Sequence, residues 1–414
     1  MVNQKNRELY KQTELGLIPK EWTIKRIKEI TKVSVGLVIN PSTYFDKNGT
    51  VPMITGKNVT EKGIVLDDVD FISEKSNRFL ETTRIWSGDL VTMRVGYPGR
   101  TSVVKKELDG INCASVIITR KNKKILSAFL GYLINSELIS KQIIRNQVGG
   151  AQKVVNIGSW KEFFIVLPPI PEQEIIVQYI TTIDELINSL ESIIQKKKNI
   201  KQGAMQELLT GEKRLEGFNG KWTIQSFKKL GQLDSESLSN NTKKDYEFNY
   251  ISIENVDRGV LKGWIKLKFK NAPSRARKII RYQDILISTV RPNSKSHLMI
   301  KINEPDFICS TGFSVLRCDE KIDPRYVYFH LFANFIDTQI NDIISGSNYP
   351  SINKKDVEKL EIPIPSDKRE QIAISNTLSD MDLEIQELET KRDKYFMIKN
   401  GMMQKLLTGE IRLT

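Results

Sequence analysis

A duplication inside the chain dictates its architecture. Residues 172–215 (EQEIIVQYITTIDELINSLESIIQKKKNIKQGAMQELLTGEKRL) match residues 370–413 (EQIAISNTLSDMDLEIQELETKRDKYFMIKNGMMQKLLTGEIRL) without a gap, at roughly 20 of 44 positions. The flanks repeat more loosely. EWTIKRIKEI from Glu21 returns as KWTIQSFKKL from Lys221, VPMITGKNV from Val51 as FNYISIENV from Phe248, and GDLVTMRVG from Gly88 as QDILISTVRP from Gln283. IVLPPIPEQ, ending at Gln173, is echoed by IPIPSDKREQ, ending at Gln371. The order is module, helix, module, helix, over 1–168, 169–215, 216–366 and 367–414. The helical copies stayed alike while the modules diverged, so the helices hold something common and the modules do different things.

After the proline stop at Pro168, Pro169 and Pro171, apolar residues recur at Ile176, Ile180, Ile183, Ile187, Leu190 and Ile194, in steps of four and three. That is the spacing of a coiled-coil seam. Ile374, Leu378, Met381, Ile385 and Leu388 give the second copy the same seam, until Arg392 interrupts it. A narrow apolar stripe cannot bury itself, so either the helices pair, preferably antiparallel, or each packs on its own module. Gly211 and Gly409 stand where left-handed residues end helices. About 37 helical residues at 1.5 Å each make a rod of roughly 55 Å, comparable with one to one and a half turns of duplex at ~34–36 Å per turn.

Within the first module, strands are predicted around residues 51–54, 89–94, 101–104 and 111–119, then a helix over 125–147. The second repeats the order with strands around 248–253, 284–290, 297–302 and 311–316, then a helix over 324–344. Each module is therefore an α+β domain with a small mixed or antiparallel sheet. Arg94, Tyr97 and Arg100 sit on a Gly-Pro turn between two strands, and Arg291, Asn293 and Lys295 sit on its counterpart. Such side chains suit base edges and phosphates; a solvated basic turn is the plainer alternative. Gln152 and Lys153, after a glycine pair, and Asn348 and Tyr349 form a second pair of candidate loops. Lys57 and Asn58 join them, and Arg275 and Arg277, with Lys278, are candidates for phosphate positioning.

Charge agrees with a phosphate-bearing partner: 63 Lys and Arg against 50 Asp and Glu leave +13. Cys113, Cys309 and Cys318 form no CxxC pair, and His297 and His330 are the only histidines, which argues for reduced thiols and against a metal site. No apolar run approaches the ~18–20 residues that cross a bilayer, and the polar N-terminus lacks a signal-peptide core, so a cytoplasmic protein is expected. Methyl transfer to adenine would need a glycine-rich cofactor turn and an Asp/Asn-Pro-Pro-aromatic string. The nearest, Asn40-Pro41-Ser42-Thr43, lacks the second proline and the aromatic, and Gly56-Lys57-Asn58 lacks the rest of a phosphate loop.

GLIPKEW near the start, PPIPEQ, the helix ending LLTGEKRL, then the same plan again to LLTGEIRL, together resemble the specificity subunits of type I restriction-modification enzymes across essentially the whole chain. The resemblance implies a non-catalytic subunit with two target recognition domains separated by an antiparallel coiled coil of two long helices. Each domain would read one half of a bipartite duplex DNA site with a fixed gap. It further implies docking of two methyltransferase subunits and of restriction/translocase subunits, which would carry S-adenosylmethionine, ATP and Mg, with no cofactor on this chain. A coiled-coil scaffold that never reads DNA is the competing reading.

Overall fold

Runs of β-branched and apolar residues set two sheets of three or four strands in each half of the molecule, beside smaller strand pairs. The computed structural model describes residues 8–146, 154–344 and 350–413. These form two compact units, Met1–Leu190 with Lys391–Thr414, and Glu191–Thr390.

In the first unit, Leu90–Met93 is buried along its whole length. It pairs antiparallel with Thr101–Val103 and Val116–Thr119, and Val33–Val35 lies outermost. A second sheet places Val51–Ile54 between Asn112–Cys113, to which it is parallel, and Asp70–Ile72, to which it is antiparallel.

The second unit repeats both sheets. Gly231–Leu233, Phe313–Cys318, Ile285–Ser288 and Leu298–Met299 form the first. Ile265–Lys268, Glu247–Ile251, Phe307–Ser310 and Ala276–Ile280 form the second, again with one parallel pair, here at the centre. Cys113 and Cys309 occupy the same place in this parallel pair, beside Ile54 and Ile251. Burial pushes both thiols up, Cys113 to about 12, so they serve as small packing residues.

Three predicted elements are divided. The strand expected over 111–119 breaks at Ser115, whose φ of +56° leaves the extended region. The helix expected over 125–147 becomes Ser127–Ile134 and Glu137–Arg145, because the Asn135 side chain bonds the backbone N–H and C=O of Thr101 like an added strand. The helix expected over 324–344 becomes Pro324–His330 and Asn334–Ile344, with Leu331, Phe332 and Ala333 tightened into i→i−3 bonds between them.

The central helix is Ile170–Thr210 and the distal helix Lys368–Leu406. Gly211 and Gly409 follow them with φ of +79° and +71°, as the sequence predicts. Both sequence alternatives for the seams are partly realised. Ile176 and Ile180 belong to the first module's core, and Ile374 and Leu378 to the second's. Ile187, Leu190, Ile194 and Ile385 are buried outside those cores, while Ile183, Met381 and Leu388 are half-buried.

The two helices run antiparallel within each unit. In the first, Asp184 pairs with Lys399 at 2.6 Å and Glu172 with Arg412. In the second, Lys197 pairs with Glu384 (2.6 Å), Lys198 with Glu389 (2.6 Å) and Lys201 with Asp382 (2.5 Å). Each unit's core thus takes the start of one helix and the end of the other: Leu406 and Leu407 in the first, Leu208 and Leu209 in the second. Full burial of each such leucine contributes roughly 1.5–3 kcal/mol.

The short strings that carried the family resemblance are the hardware of these junctions. Gln173 donates to the Pro168 carbonyl and accepts from Leu126 N–H; Gln371 does the same with Pro365 and Asp323. Arg412 grips buried Glu172, which also accepts the Trp22 indole N–H at 2.9 Å, and Arg412 reaches Glu21 as well. Arg214 grips buried Glu370 through two bonds of 2.6 and 2.8 Å and lies over the Trp222 ring. Among the described residues, no helix is long and apolar enough to cross a membrane.

Candidate nucleic-acid interface

The first module's basic turn grows out of the buried strand Leu90–Met93. After Met93, Arg94 and Val95 leave the sheet, and Val95 bridges Val154 while Arg94 C=O accepts from Val155 N–H at 3.1 Å. Gly96 and Gly99 then fold the chain back with φ of +85° and +96°. At Gly99 that φ strains any residue with a Cβ, which would also stand 2.2 Å from Ile143 Cδ1 and displace it. Tyr97 is left 67% exposed, with the Arg100 guanidinium over its ring at 4.5 Å. Arg94 is half-buried, and its Nε has no partner among the described residues.

In the second module the same edge is built from other residues. Arg291 and Lys295, with φ of +48° and +53°, flank the turn Pro292–Ser294. Val290 bridges Ser351, and Arg291 N–H donates to Pro350 C=O at 2.8 Å. Thr289 donates twice to Gly312 C=O, and Thr311 N–H donates to Arg275 C=O, which draws Arg275 to the same edge. Each module therefore sets its basic turn against the end of the second candidate loop. Gln152, Lys153, Asn348 and Tyr349 themselves lie outside the described residues.

Several candidates turn inward. Asn58 is 1% exposed: its Oδ1 accepts from Thr55 N–H and its amide donates to Val65 C=O, so it staples a turn and is not available to DNA. Asn255 staples the equivalent turn through Ser252. Lys57 stays at the surface but is paired with Asp68 at 3.0 Å. Lys295 is tied to Asp337 at 2.6 Å, and Asn293 to Asn341 at 3.1 Å. Lys278 is held by Asp234 and the Phe313 carbonyl inside the module, and Arg277 lies over Phe269. Arg275, Arg291, Tyr97 and, half-buried, Arg94 and Arg100 remain as groups free to meet a ligand.

One surface was missed in the sequence. The outer strand Ile265–Lys268 and its flanks carry Lys262, Lys266, Lys268 and Lys270, where the first module's counterpart carries Asp67, Asp68 and Asp70. Glu247 takes up part of that charge, its carboxyl held below the usual range by Lys266 and then Lys268. Lysines alternating with apolar residues over Ile265 to Lys270, with Lys262 ahead of them, were the available signal.

The family described as "Type I restriction modification DNA specificity domain" matches residues 19–202 and, a second time, residues 219–394. The chain belongs to this type I DNA specificity family. Members of the specificity family are non-catalytic, bind bipartite DNA targets and organise complexes whose partner subunits do the chemistry. Among curated relatives, the chain is 26% identical to the putative type I restriction enzyme MjaX specificity subunit of Methanocaldococcus jannaschii, over 98% of this chain and 97% of that one. It is 22% identical to the MjaVIII specificity subunit of the same organism, over 98% and 96%. Its fold is similar to the type I restriction-modification S subunit from M. genitalium, with a TM-score of 0.57 at 14% identity over 93% and 96% of the two chains. A chain from a type I system solved for its complex assembly and conformational transition gives 0.57 at 16% identity, over 95% and 99%.

Proposed function

We propose that each module of this specificity-family chain reads one half-site of a bipartite duplex target through the edge where its basic turn meets the neighbouring loop. Arg94, Tyr97 and Arg100 act for the first module, and Arg275 and Arg291 for the second. The loops that hold Gln152, Lys153, Asn348 and Tyr349 complete the two reading surfaces. The chain directs two methyltransferase subunits and restriction/translocase subunits to that target in the cytoplasm. Those partners bind S-adenosylmethionine, ATP and Mg.

The observation that carries this reading is a common frame with different readers. Asn58 and Asn255 staple the same turn, and Val95–Val154 and Val290–Ser351 make the same bridge, yet the exposed side chains on the edge differ. Two dissimilar half-sites require that combination. Replacing residues 231–345 with those of a relative should change one half-site in a methylation map and leave the other intact; an unchanged map defeats the reading. A scaffold that never reads DNA predicts no salt-dependent duplex binding, whereas several phosphate contacts give a steep loss of affinity with salt.

A further inference from the structure

His330 ends the helix Pro324–His330 with 1% of its surface exposed, and neither ring nitrogen has a hydrogen-bond partner among the described residues. In the first unit, Leu126 N–H meets Gln173 as Asp323 N–H meets Gln371, so the two helices superpose and Leu133 stands at the position of His330. Leu133 lies in an apolar core. A leucine would therefore suit the second unit too, and an imidazole with two unmet nitrogens costs stability there.

The ring borders a side-open cavity of about 240 Å³. Met205, Leu209 and Phe335 give it apolar walls, Gln206 and Thr338 a polar rim, and Glu212 is the one charged side chain that lines it among the described residues. Tyr326 stands edge-on to the imidazole at 4.8 Å and fixes its plane. An apolar cavity of ~150 Å³ already accepts benzene, so this volume takes a ring of one or two cycles.

We propose that this cavity binds a small, neutral, ring-bearing molecule that hydrogen-bonds to His330. Anions are disfavoured because the wall holds a carboxylate and no cation. Burial keeps the imidazole neutral, its pKa lowered to about 3, so it presents one N–H and one lone pair. The site lies against the end of the central helix and stands independently of the DNA reading.

The test uses the full chain labelled with ¹⁵N at histidine, titrated with phenol and with indole; benzene and benzoate are the controls. Phenol or indole at millimolar concentration should move the His330 ring signals saturably and raise Tm, and benzoate should do neither. His330→Leu should weaken binding at least tenfold. Thr338→Phe, which plugs the mouth from an exposed position and keeps the imidazole, should do the same, so a folding failure of the first variant leaves the test intact. The proposal is overturned if neither ring moves the signals, if benzene or benzoate binds equally well, or if a long-lived water holds the imidazole and nothing displaces it.

Discussion

The twin arginine locks make a quantitative experiment, because both centre on a buried glutamate gripped by an arginine and they differ in what the neighbouring tryptophan does. Glu370 is fully buried and has Arg214 as its only side-chain hydrogen-bond donor among the described residues. Glu172, 4% exposed, has Arg412 and also the Trp22 indole N–H, whereas the corresponding Trp222 Nε1 is buried without a partner among the described residues. Arg214→Met strands an uncompensated buried carboxylate, which costs about 3–5 kcal/mol. Arg412→Met leaves one hydrogen bond to the charged group, worth ~1.5–3 kcal/mol, so its cost should be smaller by about that amount. Adding Trp22→Phe to Arg412→Met removes the difference. Each lock lies within one unit, so urea unfolding followed by hydrogen exchange reads the two losses separately. Equal losses in the two single variants, or a larger one at Arg412, would refute the argument that buried hydrogen-bond count sets the cost.

Lys197→Glu with Lys201→Glu should destabilise the helix pair by ~0.2–1 kcal/mol for each pair lost, and more through repulsion, with recovery on adding Glu384→Lys and Asp382→Lys. The pairs are partly exposed, so 0.5 M salt should erase most of the effect on Tm. Burial lowers His297 and His330 to about 3, so the stability of the second unit should be complete above pH 6.5 and fall by roughly 1.4 kcal/mol per pH unit for each histidine as pH drops from 6.5 toward 3. The first unit holds neither histidine, and acid titration followed by hydrogen exchange should show no such loss there. Asn58→Ala and Asn255→Ala should each cost about 1–3 kcal/mol of stability and leave the salt slope of duplex binding unchanged. Arg100→Ala and Arg291→Ala should leave Tm in place and reduce that slope by about 1 each if they meet phosphates.

The duplicated helices and their seams were readable because a four-three apolar alternation has one efficient means of burial. Antiparallel pairing was readable too, in a second signal: in the middle of each helix a run of acidic residues precedes a run of basic ones. Asp380, Asp382, Glu384, Glu387 and Glu389 precede Lys391, Arg392 and Lys394, as Asp184, Glu185 and Glu191 precede Lys196, Lys197 and Lys198. Head-to-tail packing joins opposite charges, and parallel packing would stack like on like. The reading edge was half readable. Turn glycines and arginines declared themselves, but whether a lysine faces outward depends on a distant carboxylate, as Asp337 captures Lys295 and Asp234 captures Lys278. No local pattern encodes a partner some 40 residues away. Breaks such as Asn135, bonded to an edge strand 34 residues earlier, are hidden for the same reason.

The asparagine staples bear on how these modules can change. A saturation scan would rank Asn58 and Asn255 among the least tolerant positions, because the side chains of buried Asn58 and half-buried Asn255 both bond the backbone of their own turn. Intolerance there marks architecture, while positions such as Tyr97 and Arg291 can be exchanged without disturbing the frame that carries them. Evolvability is thereby partitioned: new target preferences arise at the rim, and the cost of trying them does not reach the foundations.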